Sequence, residues 1–230
     1  MRQGRILVVV QARMGSTRLP GKVLRHLAGR PMLAHVVERA RAIPGTDGCL
    51  VATSTARADD AIGRWCHRHR VRCLRGSEAD VLDRFRQVLD ADPAVALVRI
   101  TADCPLLDPE VSGLVVTAWR LGVAAYASNV HPRTFPDGLD TEVIAREALL
   151  GSWRAATSPE DREHVTPFLW RRPARFPAAA VCSPVNLARL RWTVDTAGDL
   201  DRVRRVLGAL PRPMPFGLRA TLCAWHRLGL

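Results

Sequence analysis

ILVVVQARMGSTRLPGKVL, residues 6–24, decides the fold. Residues 6–10 are five consecutive apolar side chains, so they read as a strand buried on both faces; a strand with one wet face would alternate. Residues 11–22 carry Gly15, Ser16, Pro20 and Gly21 and end the strand in a loop. Residues 31–42 then place Met32, Leu33, Val36, Val37 and Ala40 at helical spacing, and Pro44-Gly45 stops them. The unit repeats downstream. Strands are expected at 50–53, 71–74 and 95–100, and helices at 59–68, 79–89 and 109–121. Strands alternating with helices about every 25 residues specify βαβ units and a mostly parallel sheet, with ligands at the carboxyl ends of the strands.

From about residue 126 the pattern changes. Six prolines between 132 and 177 break the chain, and short strands are expected there. Regularity returns with a strand at 190–194 and a helix at 198–210. The reading is therefore a domain over 1–210, with an elaboration at about 126–180 that is a candidate for acceptor and dimer contacts. A tail at 211–230 is expected to hold a loosely packed final helix.

Composition narrows the function. With 230 residues, 47% of them apolar, the chain can bury one substantial core. It contains no run of 18 or more apolar residues, so no membrane span is expected. The first residues lack a small-residue cleavage site after the short VVV run, and they read as a strand, not a signal peptide. The six cysteines are scattered without a CxxC pair, as in a reduced, cytoplasmic protein. Cys66, His67, His69 and Cys73 lack the usual zinc spacing. The net charge of +12 attracts polyanions. It is spread along the chain, without basic runs interleaved with aromatics, which argues against nucleic acid and for a phosphorylated small molecule. Thirty-three of the 34 basic residues are arginines, and the one lysine is Lys22. A compact ammonium used against so strong a bias points to a place that needs a point charge.

Three segments carry chemistry. In residues 11–22, Gly15, Ser16 and Gly21 allow backbone amides to approach an anion, and Arg13, Arg18 and Lys22 add positive charge. Such a loop can hold a triphosphate, although an ordinary loop with solvated arginines has the same composition. It is neither a Walker A motif nor GxGxxG. In RITADCP (99–105), Asp103 ends a strand, where one or two carboxylates can hold Mg²⁺ beside substrate phosphates; alone, an Asp there can equally cap a turn. In RWTVDTAGD (191–199), Asp195 again follows a strand and precedes a helix, a position an N-cap would also take. Asp199 falls in the first helical turn and reads as structural.

Eight segments in order resemble the CMP-sugar synthetase superfamily, the cytidylyltransferases for KDO and acylneuraminate, and within it the branch of spore coat polysaccharide biosynthesis protein F. They are QARMGSTRLPGKVL (11–24), GRPML (29–33), RGSEADVLDRF (75–85), RITADCPL (99–106), YASN (126–129), FPDGLDTEV (135–143), REHVTP (162–167) and RWTVDTAGDL (191–200). The resemblance spans about residues 6–207. It implies a three-layer α/β nucleotide-diphospho-sugar transferase fold, related to GT-A folds, and CMP transfer from Mg-CTP. By the same resemblance, Arg13, Gly15, Ser16, Arg18 and Lys22 bind the CTP phosphates. Arg75 and Ser77 lie by the cytosine and ribose, with backbone near Ala12 and Thr53. Asp103 and Asp195 share Mg²⁺, and with Arg13 and Lys22 they form the catalytic set. Tyr126, Asn129, Arg133, Asp140, Glu142 and His164 line the pocket of an acidic or phosphorylated sugar-like acceptor, and the family is commonly homodimeric. A glycosyltransferase would instead need a DxD motif late in a strand. The pair Asp59-Asp60, weighed for that role, opens a helix. A nucleotide-binding module without catalysis would be expected to lack one of Lys22, Asp103 and Asp195, all of which are present.

Overall fold

Residues 6–10 form the buried strand that their composition predicts. In a computed structural model, which describes residues 2–210 and 216–230, β1 (Ile6–Gln11) is an interior strand of a seven-stranded sheet, and Ile6 to Val10 are fully buried. On one side β1 pairs in parallel with β4 (Cys49–Ser54), which pairs with β5 (Arg72–Gly76); on the other it pairs with β6 (Ala96–Thr101). A two-stranded ribbon, β2 (His26–Leu27) with β3 (Arg30–Pro31), stands apart. The middle of the chain extends the same sheet. Strand β8 (Glu142–Ala145) runs antiparallel to β6 and to β7 (Tyr126–Ser128), and β9 (Ala178–Ala180) lies parallel to β7 at the edge.

Helices cover both faces. Alternate residues of β1 point to opposite sides. Ile6, Val8 and Val10 pack with α1 (Met32–Arg41), α2 (Asp60–Arg68), α4 (Pro109–Leu121) and α8 (Ala197–Ala209). Leu7 and Val9 pack with α3 (Val81–Ala91), α5 (Arg146–Ala155) and α7 (Pro167–Trp170). Helix α6 (Pro159–His164) leans on α3. This is the three-layer α/β arrangement expected from the sequence.

Two expectations are corrected. Residues 190–194 are not a strand. Arg191 makes only an isolated bridge to Asp137, while Trp192 N donates to Asp137 O and Val194 N donates to Asp103 O. The segment is extended and its Trp192 and Val194 are buried, but its neighbours are loops that cannot continue a ladder. Gly138, at φ +117°, lets that backbone come close; a Cβ there would lie 2.8 Å from the Trp192 carbonyl carbon.

The final helix is not loosely packed either. Residues 211–215 of the tail lie outside the described residues, but α9 (Leu218–Arg227) buries Thr221, Ala224 and Trp225. Asp108, which caps α4 through Glu110 N, also accepts from Leu218 N, and the buried Arg39 donates to Phe216 O. The Trp225 ring lies 6.0 Å from that of Trp192, three residues before Asp195. Trp225→Ala is therefore expected to cost about 3–5 kcal/mol. Denaturant unfolding checks this: the midpoint should fall at unchanged m-value. An unchanged midpoint would mean that the helix is dispensable to the core.

Candidate functional site

The loop after β1 is shaped by its own backbone. Ser16 N and Gly21 N both donate to Met14 O, and Leu19 N donates to Ser16 Oγ. Gly21, at φ +68°, turns the chain into a short 3₁₀ turn, Lys22–Leu24. Met14 N donates to Asp59 Oδ1 at 2.6 Å, and Asp59 Oδ2 accepts from Ser54 N and Oγ. Buried Asp59 thus staples the loop to the end of β4, which accounts for one half of the Asp59-Asp60 pair.

The loop walls a cleft of about 520 Å³ at the carboxyl ends of β1 and β6. Arg13, Gly15, Ser16, Thr17, Arg18 and Lys22 line one side, and Gln11, Arg84, Thr101, Asp103 and Asp195 line the rest. Among the described residues, no acceptor takes the amide N–H of Gly15, Thr17 or Arg18. Free amides and two exposed guanidinium groups at the mouth of one cleft make a receptor for a polyanion.

Three distant stretches meet on its floor. Lys22 Nζ lies 2.8 Å from Asp103 Oδ2, 2.8 Å from Asp195 Oδ1 and 2.9 Å from Val194 O. Burial would lower the Lys22 pKa, but the charges of Asp103 and Asp195 outweigh it and hold the ammonium above its ordinary value. Burial would likewise raise Asp103, and Lys22 outweighs it, so this carboxyl sits below its ordinary range. The second oxygen of Asp195 faces Arg18 NH2 at 3.2 Å and accepts from Arg191. Asp195 N donates to Asp199 Oδ2, part of a capping box between Thr196 and Asp199 at the start of α8. Asp199 is therefore the structural residue that the sequence indicates, and it also fixes the backbone of Asp195.

Other expected residues stand farther off. Arg75 lines a separate cleft with Asp60 and Cys73; its guanidinium donates to Ser54 O and Asp60. Ser77 Oγ accepts from Asp80 N. Ala12 N donates to Ala52 O, and Thr53 is buried with its hydroxyl unpartnered among the described residues. Tyr126 is buried with its hydroxyl on Glu142, and Asn129 is committed to Leu139 O and Thr141 N. Arg133 spends its fork on Asp140 at 2.6 Å for both nitrogens. His164 is exposed at the end of α6. Glu142 and Tyr126 reach the cleft indirectly, since Glu142 accepts from Arg99, and Arg99 Nε donates to Gln11 Oε1.

Arg84 is the residue that sequence reading missed. It is 2% exposed, has no carboxylate partner among the described residues, and donates to Ser77 O at 3.1 Å and, at 3.4–3.5 Å, to Ala52 O and Glu78 O. It braces the end of β4 against the loop before α3 while lining the cleft. The signal was a charged residue on the same face of α3 as Val81, Phe85 and Val88.

The model of a family described as cytidylyltransferase matches residues 7–197. The spore coat polysaccharide biosynthesis protein SpsF of Bacillus subtilis is 34% identical over 206 residues, covering 86% of this chain and 85% of that protein. The 3-deoxy-manno-octulosonate cytidylyltransferase of an Anaeromyxobacter species is 30% identical over 248 residues, covering 90% and 99%. Among solved structures, a cytidylyltransferase from Leptospira borgpetersenii has the same fold, with a TM-score of 0.93 at 24% identity over 99% of this chain and 96% of that one.

Proposed function

The chain belongs to the cytidylyltransferase family, and on that premise we propose that it transfers CMP from Mg-CTP to a hydroxyl of an acidic or phosphorylated sugar-like acceptor and releases pyrophosphate. One observation carries the reading. Asp103, Asp195 and Lys22, up to 173 residues apart, converge within 2.8 Å contacts below a loop with free amides and arginines.

The donor set fits a divalent cation. Two carboxylate oxygens already share one positive charge, the Lys22 ammonium. Among the described residues no group of three or more His, Cys, Asp or Glu is placed to hold a metal alone. Mg²⁺ does not need one, because it commonly takes one or two carboxylates and completes its shell with substrate phosphate and water. Bound there by Asp103 and Asp195, it would draw charge from the α-phosphate.

The chain's own residues do the rest. Arg13, Arg18, the Ser16 hydroxyl and the free amide of Gly15 hold the β- and γ-phosphates and stabilise charge developing on the pyrophosphate. Arg84 keeps the backbone at Ala52 and Ser77 in place for the nucleoside, beside Ala12, Thr53 and Arg75. The acceptor hydroxyl attacks the α-phosphorus in line, with no covalent enzyme intermediate; positioning and electrostatics supply most of the acceleration. The acceptor side is Tyr126, Asn129, Arg133, Asp140, Glu142 and His164, and the link from Gln11 through Arg99 to Glu142 supports placing it next to the cleft. The relative named for 3-deoxy-manno-octulosonate favours a sugar acid; a polyol phosphate or phosphonate presents the same chemistry of a hydroxyl beside an anion. A glycosyltransferase reading is weaker, since Asp59 is spent on the loop. No helix among the described residues is long and apolar enough to cross a membrane. We place the reaction in the cytoplasm, in surface polysaccharide or glycoconjugate synthesis. The protein works there as a homodimer through residues 126–180, without nucleic acid or membrane.

Pyrophosphate release tests this, with Mg²⁺ and each of the four nucleoside triphosphates against ulosonic acids, sugar phosphates, polyol phosphates and phosphonates. Release with CTP and one acceptor class is expected, and it names the acceptor. Release with another nucleotide in preference to CTP would overturn the donor assignment.

A further inference from the structure

The point where Lys22 sits is also the point where a metal ion would sit. Its ammonium has three N–H groups, and all three are spent, on Asp103 Oδ2, Asp195 Oδ1 and Val194 O. A divalent cation bridging the same two carboxylates would need those oxygens at about 2.0–2.1 Å. It cannot do so with a second positive charge held between them. Nor is there attraction left for a bare ion, because Arg18 and Arg191 already face the other oxygen of Asp195. Three cations thus meet two carboxylates. A nucleoside triphosphate reverses the balance, since it offers Lys22 and Arg18 a more negative partner a few ångströms away on the wall of the same cleft.

We propose that Lys22 is a placeholder cation: it holds the two metal-binding carboxylates together until Mg-nucleotide arrives, then exchanges with the metal and moves onto the phosphates. The proposal rests on the reading that Asp103 and Asp195 hold the metal. It explains why this chain keeps one lysine beside thirty-three arginines. An ammonium on a flexible four-carbon stem can bridge two carboxylates as a single atom and swing away. A planar guanidinium would pair with one carboxylate through its fork and would not mimic a metal. It also orders the binding: metal enters with the nucleotide, so metal and nucleotide affinities are coupled through one side chain.

Two measurements on the whole protein test it. The first is Mn²⁺ binding followed by electron paramagnetic resonance, with and without a non-hydrolysable CTP analogue. Wild type is expected to bind Mn²⁺ weakly alone and tightly with the analogue. Lys22→Met, which keeps the apolar stem, is expected to bind Mn²⁺ alone at least about tenfold more tightly than wild type, and Asp103→Asn added to it is expected to remove the gain. The second uses wild type only, so it does not depend on a variant folding. With ¹⁵N-lysine labelling the chain has a single side-chain ammonium, that of Lys22. Its resonance is expected to stay fixed with Mg²⁺ alone and to shift when Mg²⁺ and the analogue are both present. Equal Mn²⁺ affinity of wild type and Lys22→Met, or a resonance unmoved by Mg²⁺ with analogue, would overturn the exchange. Unchanged Mn²⁺ affinity of the analogue complex in Asp103→Asn would instead remove the metal site itself, so the two failures are distinguishable.

Discussion

Asp103→Asn is expected to lower turnover by about 10²–10³-fold while the protein stays folded, with unchanged far-ultraviolet circular dichroism. The magnitude is what loss of one preorganised electrostatic group at the reacting phosphate removes. The isosteric amide keeps the size of the side chain and loses the charge that Lys22 sees at 2.8 Å. A second readout separates charge from shape. Asp103 is held below the ordinary carboxylate value of 3.8 by Lys22, against burial. A carboxyl depressed in the folded state adds stability that is present above 3.8 and is lost as pH falls through its lower folded value. Wild type should therefore lose stability on acidification below 3.8 more steeply than Asp103→Asn. Wild-type turnover in the variant would take Asp103 out of the mechanism.

Lys22→Ala is expected to weaken CTP binding about tenfold or more while CMP binding changes little, a difference read by calorimetric titration of each nucleotide. A charge-assisted hydrogen bond to a phosphate contributes about 1.5–3 kcal/mol, and only the longer nucleotide carries the β- and γ-phosphates onto which Lys22 is proposed to move. The substitution also leaves Asp103 and Asp195 facing each other without the ammonium between them. The variant should accordingly unfold at lower denaturant concentration. Equal losses for CTP and CMP would contradict the placement of Lys22 on the phosphates.

The first half of the fold was legible because two signals agree there. The run at residues 6–10 fills both faces of the sheet at once, and helical spacing resumes after each loop, so β1, β4, β5 and β6 and helices α1 to α4 follow from periodicity. The middle was harder because proline has two meanings. Pro159 and Pro167 read as breaks in the sequence, yet each starts a helix, α6 and α7, where the missing N–H costs nothing. The segment expected as a strand at 190–194 is extended and buries Trp192 and Val194, as a strand would. The sequence could not reveal that its neighbours are Asp137 and Asp103, in loops 55 and 91 residues earlier in the chain. Helix α9 was underrated because Trp225 finds its partner, Trp192, only in three dimensions.

The site divides in the same way. Arg13, Ser16, Arg18, Lys22, Asp103 and Asp195 were visible because each lies just past a strand or extended segment, where an open sheet collects ligands, and all six line one cleft. Their pairing was not visible, because Lys22 meets Asp195 across 173 residues. Arg75 and Arg133 show the opposite limit. Both are cations at positions that the resemblance favours, and both are occupied by carboxylates of this chain, Asp60 and Asp140. Charge at a sequence position does not tell whether the fold has already neutralised it.

The most direct test of the central claim follows the phosphorus atoms of CTP. CTP labelled at the α-phosphate, and separately at the γ-phosphate, is incubated with enzyme, Mg²⁺ and the acceptor class that supports pyrophosphate release. The α-label should appear in a CMP–acceptor adduct and the γ-label in pyrophosphate, both at rates that fall together in Asp103→Asn. Transfer of the γ-label to the acceptor, or its release as orthophosphate, would contradict attack at the α-phosphorus and with it the assignment of the cleft.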